Sequence, residues 1–218
     1  MTDFPLARRN MVESQLRPNL IADPALLAAV SEIPREAFLP AALRSVAYVD
    51  EDVPLGGGRY TMEPLVLCKL LQAAAPKPAD VALDVGCNIG YSTALLAKMV
   101  GTAIGIDEDG ELIKAASASV HGLGIDNAVF MQRAPQSGYA EQGPYNVILI
   151  NGAIDQVPQT LLDQLAEGGR LAAVIGKGRV AGRGTLFRKL AGAVSSRALF
   201  DAGTPSLPGL QHRPSFQF

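Results

Sequence analysis

Along the chain the apolar positions change period near residue 80. From Phe4 to about Ala47 they recur at helical spacing. Asp23-Pro24 marks a helix start, an N-cap followed by proline at the first helical position, and Leu26, Leu27 and Val30 then share one face. Pro34 and Pro40 punctuate the chain beyond this helix. "DEDVPLGGGRYTMEP", Asp50 to Pro64, reads as loop around three successive glycines, and Leu65 to Ala75 is again helical.

From Val81 short apolar runs alternate with helical stretches. "VALDV", "TAIGI", "AVFM", "YNVILI" and "RLAAVI" read as five strands. The intervening helices are "YSTALLAKM", Glu111 to His121, and a stretch around Pro158 to Leu165. Strands of this kind predict a doubly wound parallel sheet covered on both faces. "TLFRKL" and "SSRALF", joined by "AGAV", predict a hairpin that adds an antiparallel edge at the C-terminal side. "GKGRVAGRG", Gly176 to Gly184, lacks the spacing of a phosphate loop and reads as a mobile surface loop. No internal repeat is present. The division predicted is a helical segment with a substrate-side loop over residues 1–64 and a ligand-binding sheet domain over 65–218, together one compact unit.

Composition narrows the class. At 218 residues, 48% apolar, the chain is long enough for one α/β domain with a full core. A net charge of −2 without a basic cluster argues against a nucleic-acid partner. The apolar runs are too short to span a membrane, and "MTDFPLARRN" lacks the apolar core of a signal peptide. The expectation is a soluble cytoplasmic protein, with a monomer favoured. Cys68 and Cys87 form no CxxC pair and no metal cluster with His121 or His212, so no metal is expected. His121 reads as a helix-end residue, Cys87 as loop filler, and His212 as part of an exposed Pro-rich tail.

The candidate chemistry lies in "DVGCNIGY", Asp84 to Tyr91, where the first strand of the sheet turns into a helix. Gly86 and Gly90 are placed to let a ligand approach the backbone, and Asn88 tolerates a left-handed conformation. Asp107 ends the next strand 21 residues after Gly86, a spacing suited to an acid that grips ribose hydroxyls. A dinucleotide would set its pyrophosphate in the field of Asp84, and Tyr91 stands where close packing wants Gly or Ala. S-adenosylmethionine fits better: it has the ribose hydroxyls, no phosphate, and a cationic amino group and sulfonium. An empty structural turn is the third reading.

With these residues in place, the chain resembles the protein-L-isoaspartate O-methyltransferases. "RRNMVESQLRPNLIADPALLAAVSEIPREAFLP" is similar to the family's N-terminal block, with Met11, Gln15, Leu16, Asp23, Leu27, Pro34, Arg35, Glu36, Phe38 and Pro40 in its positions. "AYVDEDVPLG", "LDVGCNIGYSTALLA" and "PQTLLDQLAEGGRL" resemble further motifs of the family, and the likeness runs from about Arg8 to Phe200. The resemblance implies a Rossmann-like class I methyltransferase sheet with an added N-terminal helical segment. It implies S-adenosylmethionine as cofactor, held by Asp84, Gly86, Cys87, Asn88, Gly90, Asp107 and Asn151, with Asp84 toward the methionine end. It also implies methyl transfer to the free carboxylate of an isoaspartyl residue in a damaged protein or peptide. That chemistry asks for alignment more than for side-chain acids and bases, because the nucleophile is already ionised.

Several family positions are altered. Its G-x-T-I-S-x-P signature becomes "GRYTMEP", so Met62 takes the serine position with Thr61 beside it, and these two are expected to line the acceptor side. Glu63 replaces a glutamine. A G-D-G motif corresponds to Arg133-Ala134-Pro135, Asn146 replaces an aspartate, and the tail lacks the usual V-R-F-V-P-L. These losses motivate a second reading, a relative with another acceptor or a non-catalytic S-adenosylmethionine-binding module.

Overall fold

In the computed structural model, which describes residues 2–177 and 180–210, the N-terminal periodicity resolves into short helical pieces. They are α1 (Phe4–Asn10), a π-helical turn over Met11–Leu16, α2 (Pro24–Glu32) and α3 (Arg35–Phe38). Asp23 caps α2 as expected, its carboxylate accepting from the N–H of Leu26 at 2.9 Å. Polar ties from the family-like block hold the pieces together. Arg8 donates to Glu32 O at 2.7 Å, Gln15 to Tyr48 O at 2.9 Å, and Tyr48 to the Glu36 carboxylate. Arg35, 1% exposed, donates to Ala47 O (2.8 Å) and Met62 O (2.7 Å) and lies over the Tyr91 ring. Burial lowers its pKa.

The stretch read as a loop from Asp50 to Pro64 is instead a small antiparallel hairpin, β1 (Val53–Gly56) and β2 (Arg59–Thr61). Gly56, Gly57 and Gly58 all have positive φ and make its turn, so the glycines serve a hairpin and not an irregular loop. Helix α4 (Pro64–Ala74) comes next.

The sheet then forms from β3 (Val81–Val85), β4 (Thr102–Asp107), β5 (Ala128–Gln132), β6 (Tyr145–Ile154), β7 (Leu165–Lys177), β8 (Val180–Leu190) and β9 (Ala193–Ala202). Their spatial order is β5-β4-β3-β6-β7-β8-β9. The first five are mutually parallel, and β8 and β9 add antiparallel. Helices α5 (Tyr91–Ala97), α6 (Gly110–Gly122) and α7 (Gln159–Asp163) are the crossovers. Helix α7 is shorter than expected because β7 begins at Leu165. The expected surface loop Gly176 to Gly184 is also corrected. Ile175 pairs with Arg183 and Lys177 with Val180, so most of it is strand. A side chain on Gly184 would run into the Phe200 ring, which gives that glycine a packing role. Residues 178–179 of that stretch, and His212 in the tail, lie outside the described residues.

Alternation along the central strands feeds two apolar layers. Ala82, Val147 and Leu149 face one layer, while Leu83, Val85, Ile148 and Ile150 face the other. The first layer also takes in Met11, Leu26, Val30, Leu70, Leu95 and Val174, so the N-terminal helices share a core with the sheet. The second includes Leu161, Leu165 and Leu207. Strand order reverses beside β3, between β4 and β6. That places a ligand crevice at the carboxyl ends of these strands.

Candidate functional site

The turn after β3 stands at this crevice. Gly86 (φ +71°) and Asn88 (φ +57°) are left-handed, so asparagine fills the middle position as the sequence allows. Four of the loop's N–H groups are engaged within the protein. Those of Gly86 and Cys87 both donate to Ile106 O (2.9 and 3.0 Å), that of Asn88 to Asp107 Oδ2 (3.2 Å), and that of Gly90 to Cys87 O (2.9 Å). These four inward bonds remove much of the row of free amides that an anion cradle would require. Asn88 Nδ2 donates to Tyr60 O at 2.8 Å, while its buried Oδ1 has no hydrogen-bond partner.

The two glycines differ in role. A Cβ on Gly86 would collide with the side chain of Leu207, inside the crevice. A Cβ on Gly90 would lie 2.8 Å from Ala116 Cβ and 3.2 Å from Phe130 Cζ. Gly90 therefore also serves the close packing of α5 against α6 and β5.

Asp84 is fully buried and does not itself line the crevice. It accepts from Ser92 Oγ (2.7 Å), Thr93 Oγ1 (2.6 Å) and Asn151 Nδ2, and Asn151 also donates to Ser92 Oγ at 2.9 Å. Burial pushes the Asp84 carboxyl up to about 6, against the pull of those three donors, with Asp107 adding to the rise. The carboxylate thus acts on the crevice through Asn151 and Ser92, which do line it. Cys87 is buried, and burial raises its thiol well above the ordinary value, in keeping with a filler role.

Asp107, also fully buried, is held by four contacts from three residues. Arg59 grips both its oxygens (2.8 and 3.0 Å), and the N–H groups of Asn88 and Asp109 complete the set; Arg59 also reaches Glu108 at 3.3 Å. Spacing along the sequence picks out Asp107 and misses Arg59, 48 residues earlier. Its charge inside "GGGRYT" was the available signal, hidden by taking the hairpin for a loop. Met62 and Thr61 are both buried beside the crevice, and Met62 is part of the apolar core. Glu63 next to them is half-buried. Burial, with Asp50 and Asp52 nearby, pushes its carboxyl up to about 7.

The remaining departures have structural explanations. Asn146 Oδ1 accepts from the N–H of Val81 at 2.9 Å, tying β6 to β3 at the far end of the sheet. Arg133 lies over the Tyr139 ring and pairs with Glu141 at 3.7 Å. Leu207 and its neighbours Thr204 to Pro208 form a wall of the crevice, which no sequence signal announced.

What remains open is two cavities of about 10 Å³ each, one lined by Arg59, Met62, Asn88, Asn151 and Leu207, the other by Thr61, Met62, Asn88, Tyr91 and Asn151. That is room for about one water apiece, whereas a small-molecule site takes roughly 300 Å³ or more. The acceptor set suits a nucleoside bearing a cation: an acid for ribose hydroxyls, an orphan acceptor at Asn88, and a buried carboxylate behind. The volume does not admit one while Arg59 and Leu207 stay in place. Among the described residues no cluster of metal-ligating side chains is present, and no helix is long and apolar enough to cross a membrane.

A mostly parallel seven-stranded sheet with this turn after β3 and an acid ending β4 defines the Rossmann-like methyltransferase class. Comparison with known proteins narrows it. The model of the protein-L-isoaspartate(D-aspartate) O-methyltransferase family matches residues 7–200. A protein-L-isoaspartate O-methyltransferase of Koribacter versatilis is 34% identical over 211 residues, 97% of this chain and 95% of the relative. A solved protein-L-isoaspartate O-methyltransferase superposes with a TM-score of 0.82 at 25% identity, covering 94% of this chain and 67% of its own. A Plasmodium falciparum structure of the same description, in complex with S-adenosyl-L-homocysteine, gives 0.79 at 21% identity over 96% of this chain and all of the other, a likeness of fold. The chain belongs to the protein-L-isoaspartate O-methyltransferase family, whose enzymes use S-adenosylmethionine.

Proposed function

We propose that this chain is an S-adenosylmethionine-dependent O-methyltransferase acting on a carboxylate of a damaged protein or peptide. One observation carries the reading. Asn88 and Asn151 line one crevice, Asp84 and Asp107 lie buried behind them, and four of the turn's amides are bonded inward, which suits a cationic nucleoside better than a phosphorylated one.

The cofactor, when bound, supplies an activated methyl group. Asp107 accepts from the ribose hydroxyls in place of Arg59. Asp84, through Asn151 and Ser92, lends negative potential to the side where the cationic groups lie. Asn88 Oδ1 offers one further acceptor. Thr61 and Met62 wall the acceptor side and exclude water, and alignment of the acceptor oxygen carries most of the rate. No general base is required, because the acceptor carboxylate is ionised at neutral pH.

The test is methyl transfer from labelled S-adenosylmethionine to an isoaspartyl peptide, read as base-labile methyl ester. Incorporation above an aspartyl control supports the reading. Bound cofactor without incorporation would remove the isoaspartyl acceptor and favour the binding-module alternative.

A further inference from the structure

Arg59 and Leu207 occupy the crevice in a way that nothing in the reaction requires. Arg59 is nearly buried, yet its guanidinium meets the acid that should face a ligand, and it does so through a bidentate pair. Leu207, 4% exposed, rests on Gly86 and on Gly152, where a Cβ would come within 2.9 Å of Leu207 Cβ.

The segment carrying Leu207 is anchored along its length. Thr204 Oγ1 donates to Asp52 at 3.0 Å. The N–H of Ala153 donates to Pro205 O (2.8 Å) and that of Leu207 to Ala153 O (2.9 Å), a one-bridge extension of β6 at its crevice end. A Cβ on Gly209 would stand 3.1 Å from Glu108 and 3.4 Å from Pro135. The strap thus crosses from the substrate-side hairpin over β6 and β3 to the end of β4. The orphan Asn88 Oδ1 lies beneath it.

We infer that Arg59 and Leu207 are a built-in competitor for the nucleoside: the cofactor enters only by displacing the Arg59 side chain from Asp107 and lifting the 204–209 strap from Gly86. This rests on the reading that the crevice is the cofactor site. Apparent affinity is then the intrinsic affinity reduced by the fraction of molecules open, so weakening either contact tightens binding.

The experiment is calorimetric titration of the full chain with S-adenosyl-L-homocysteine, for the parent, Arg59→Gln and Leu207→Ala. Cooperative thermal unfolding of each serves as a check of folding. Hydrogen exchange at the amides of Ala153 and Leu207 is measured in the parent with and without ligand. About a tenfold or greater gain in affinity is expected for each variant, by the population argument. Faster exchange of both amides in the parent on ligand addition is also expected. If one variant does not fold, the other and the exchange data decide.

Ligand binding that leaves both amides protected, with variants no tighter than the parent, overturns the competition while leaving the cofactor site intact. No heat from any of the three proteins overturns both the competition and the cofactor site.

Discussion

Asp84 gives the most direct physical test of the site. Replacing it with asparagine keeps the size and a hydrogen-bonding head, and the hydroxyls of Ser92 and Thr93 can rotate to suit. What disappears is the titration. In the folded protein the carboxyl is pushed from its ordinary 3.8 to about 6, chiefly by burial. The folded state therefore binds a proton that the unfolded chain releases between those values. Stability from this group is fully present below about 4, is lost as pH rises through 6, and is flat above about 7. The gap between 3.8 and about 6, at ~1.4 kcal/mol for each pKa unit, comes to about 3 kcal/mol. About 2 kcal/mol of that falls between pH 7.5 and 4.5, the range in which urea unfolding is practical. Titrating groups not coupled to Asp84 are shared by the parent and Asp84→Asn and cancel in the difference between them. That difference should move by about 2 kcal/mol in favour of the parent on acidification over this window. Parallel profiles, constant to within about 0.5 kcal/mol, would show that Asp84 is not a desolvated acid and would remove its electrostatic role in the crevice.

Gly90→Ala should destabilise the protein by about 2–4 kcal/mol, because the position combines φ +88° with contacts to Ala116 and Phe130 that cannot retreat; urea midpoints decide, and a loss below about 0.5 kcal/mol would refute the packing role. Glu63→Gln should lower the KM for an isoaspartyl peptide at pH 8 but hardly at pH 6, since Glu63, with its carboxyl near 7, is already largely neutral there. A pH-independent effect would place Glu63 away from the acceptor.

The sequence carries the sheet more openly than the crevice, for physical reasons. Strands buried on both faces are apolar at most positions, so "VALDV" and "YNVILI" stand out without any partner being known. The antiparallel pair β8 and β9 shows itself through its turn at Ala191-Gly192, both with positive φ. The β1–β2 hairpin gives no such signal, since its strands are four and three residues long and one contains Pro54. In the crevice, Asp107 is legible because its distance from Gly86 is fixed by one strand–helix–strand unit. Arg59 is not, because its pairing depends on how a hairpin from another part of the chain leans over β4. Leu207 is invisible for a similar reason. One leucine in a Pro- and Gly-rich tail has no periodicity, and only the backbone bonds to Ala153 reveal where it goes.

The arrangement of charge around the turn also weighs between two adenosine-bearing ligands, one phosphorylated and one not. A diphosphate needs free N–H groups, and those of Gly86, Cys87, Asn88 and Gly90 are all donated inward. The orphan Asn88 Oδ1 belongs to a residue of the crevice wall, Asp107 and Asp84 are buried behind that wall, and Arg59, which does line the crevice, pairs with Asp107 and Glu108. Any replacement for that guanidinium must donate hydrogen bonds to Asp107 or bring positive charge. S-adenosylmethionine does both, through its ribose hydroxyls and its sulfonium and amino groups. NADH supplies the hydroxyls but adds two phosphate charges to a half-dry site already holding carboxylates. Fluorescence titration with NADH should therefore show no saturable binding, in the parent and in Arg59→Gln alike. Saturable binding displaced by S-adenosyl-L-homocysteine would mean that the carboxylates do not select the ligand, and the assignment of the crevice would have to rest on shape alone.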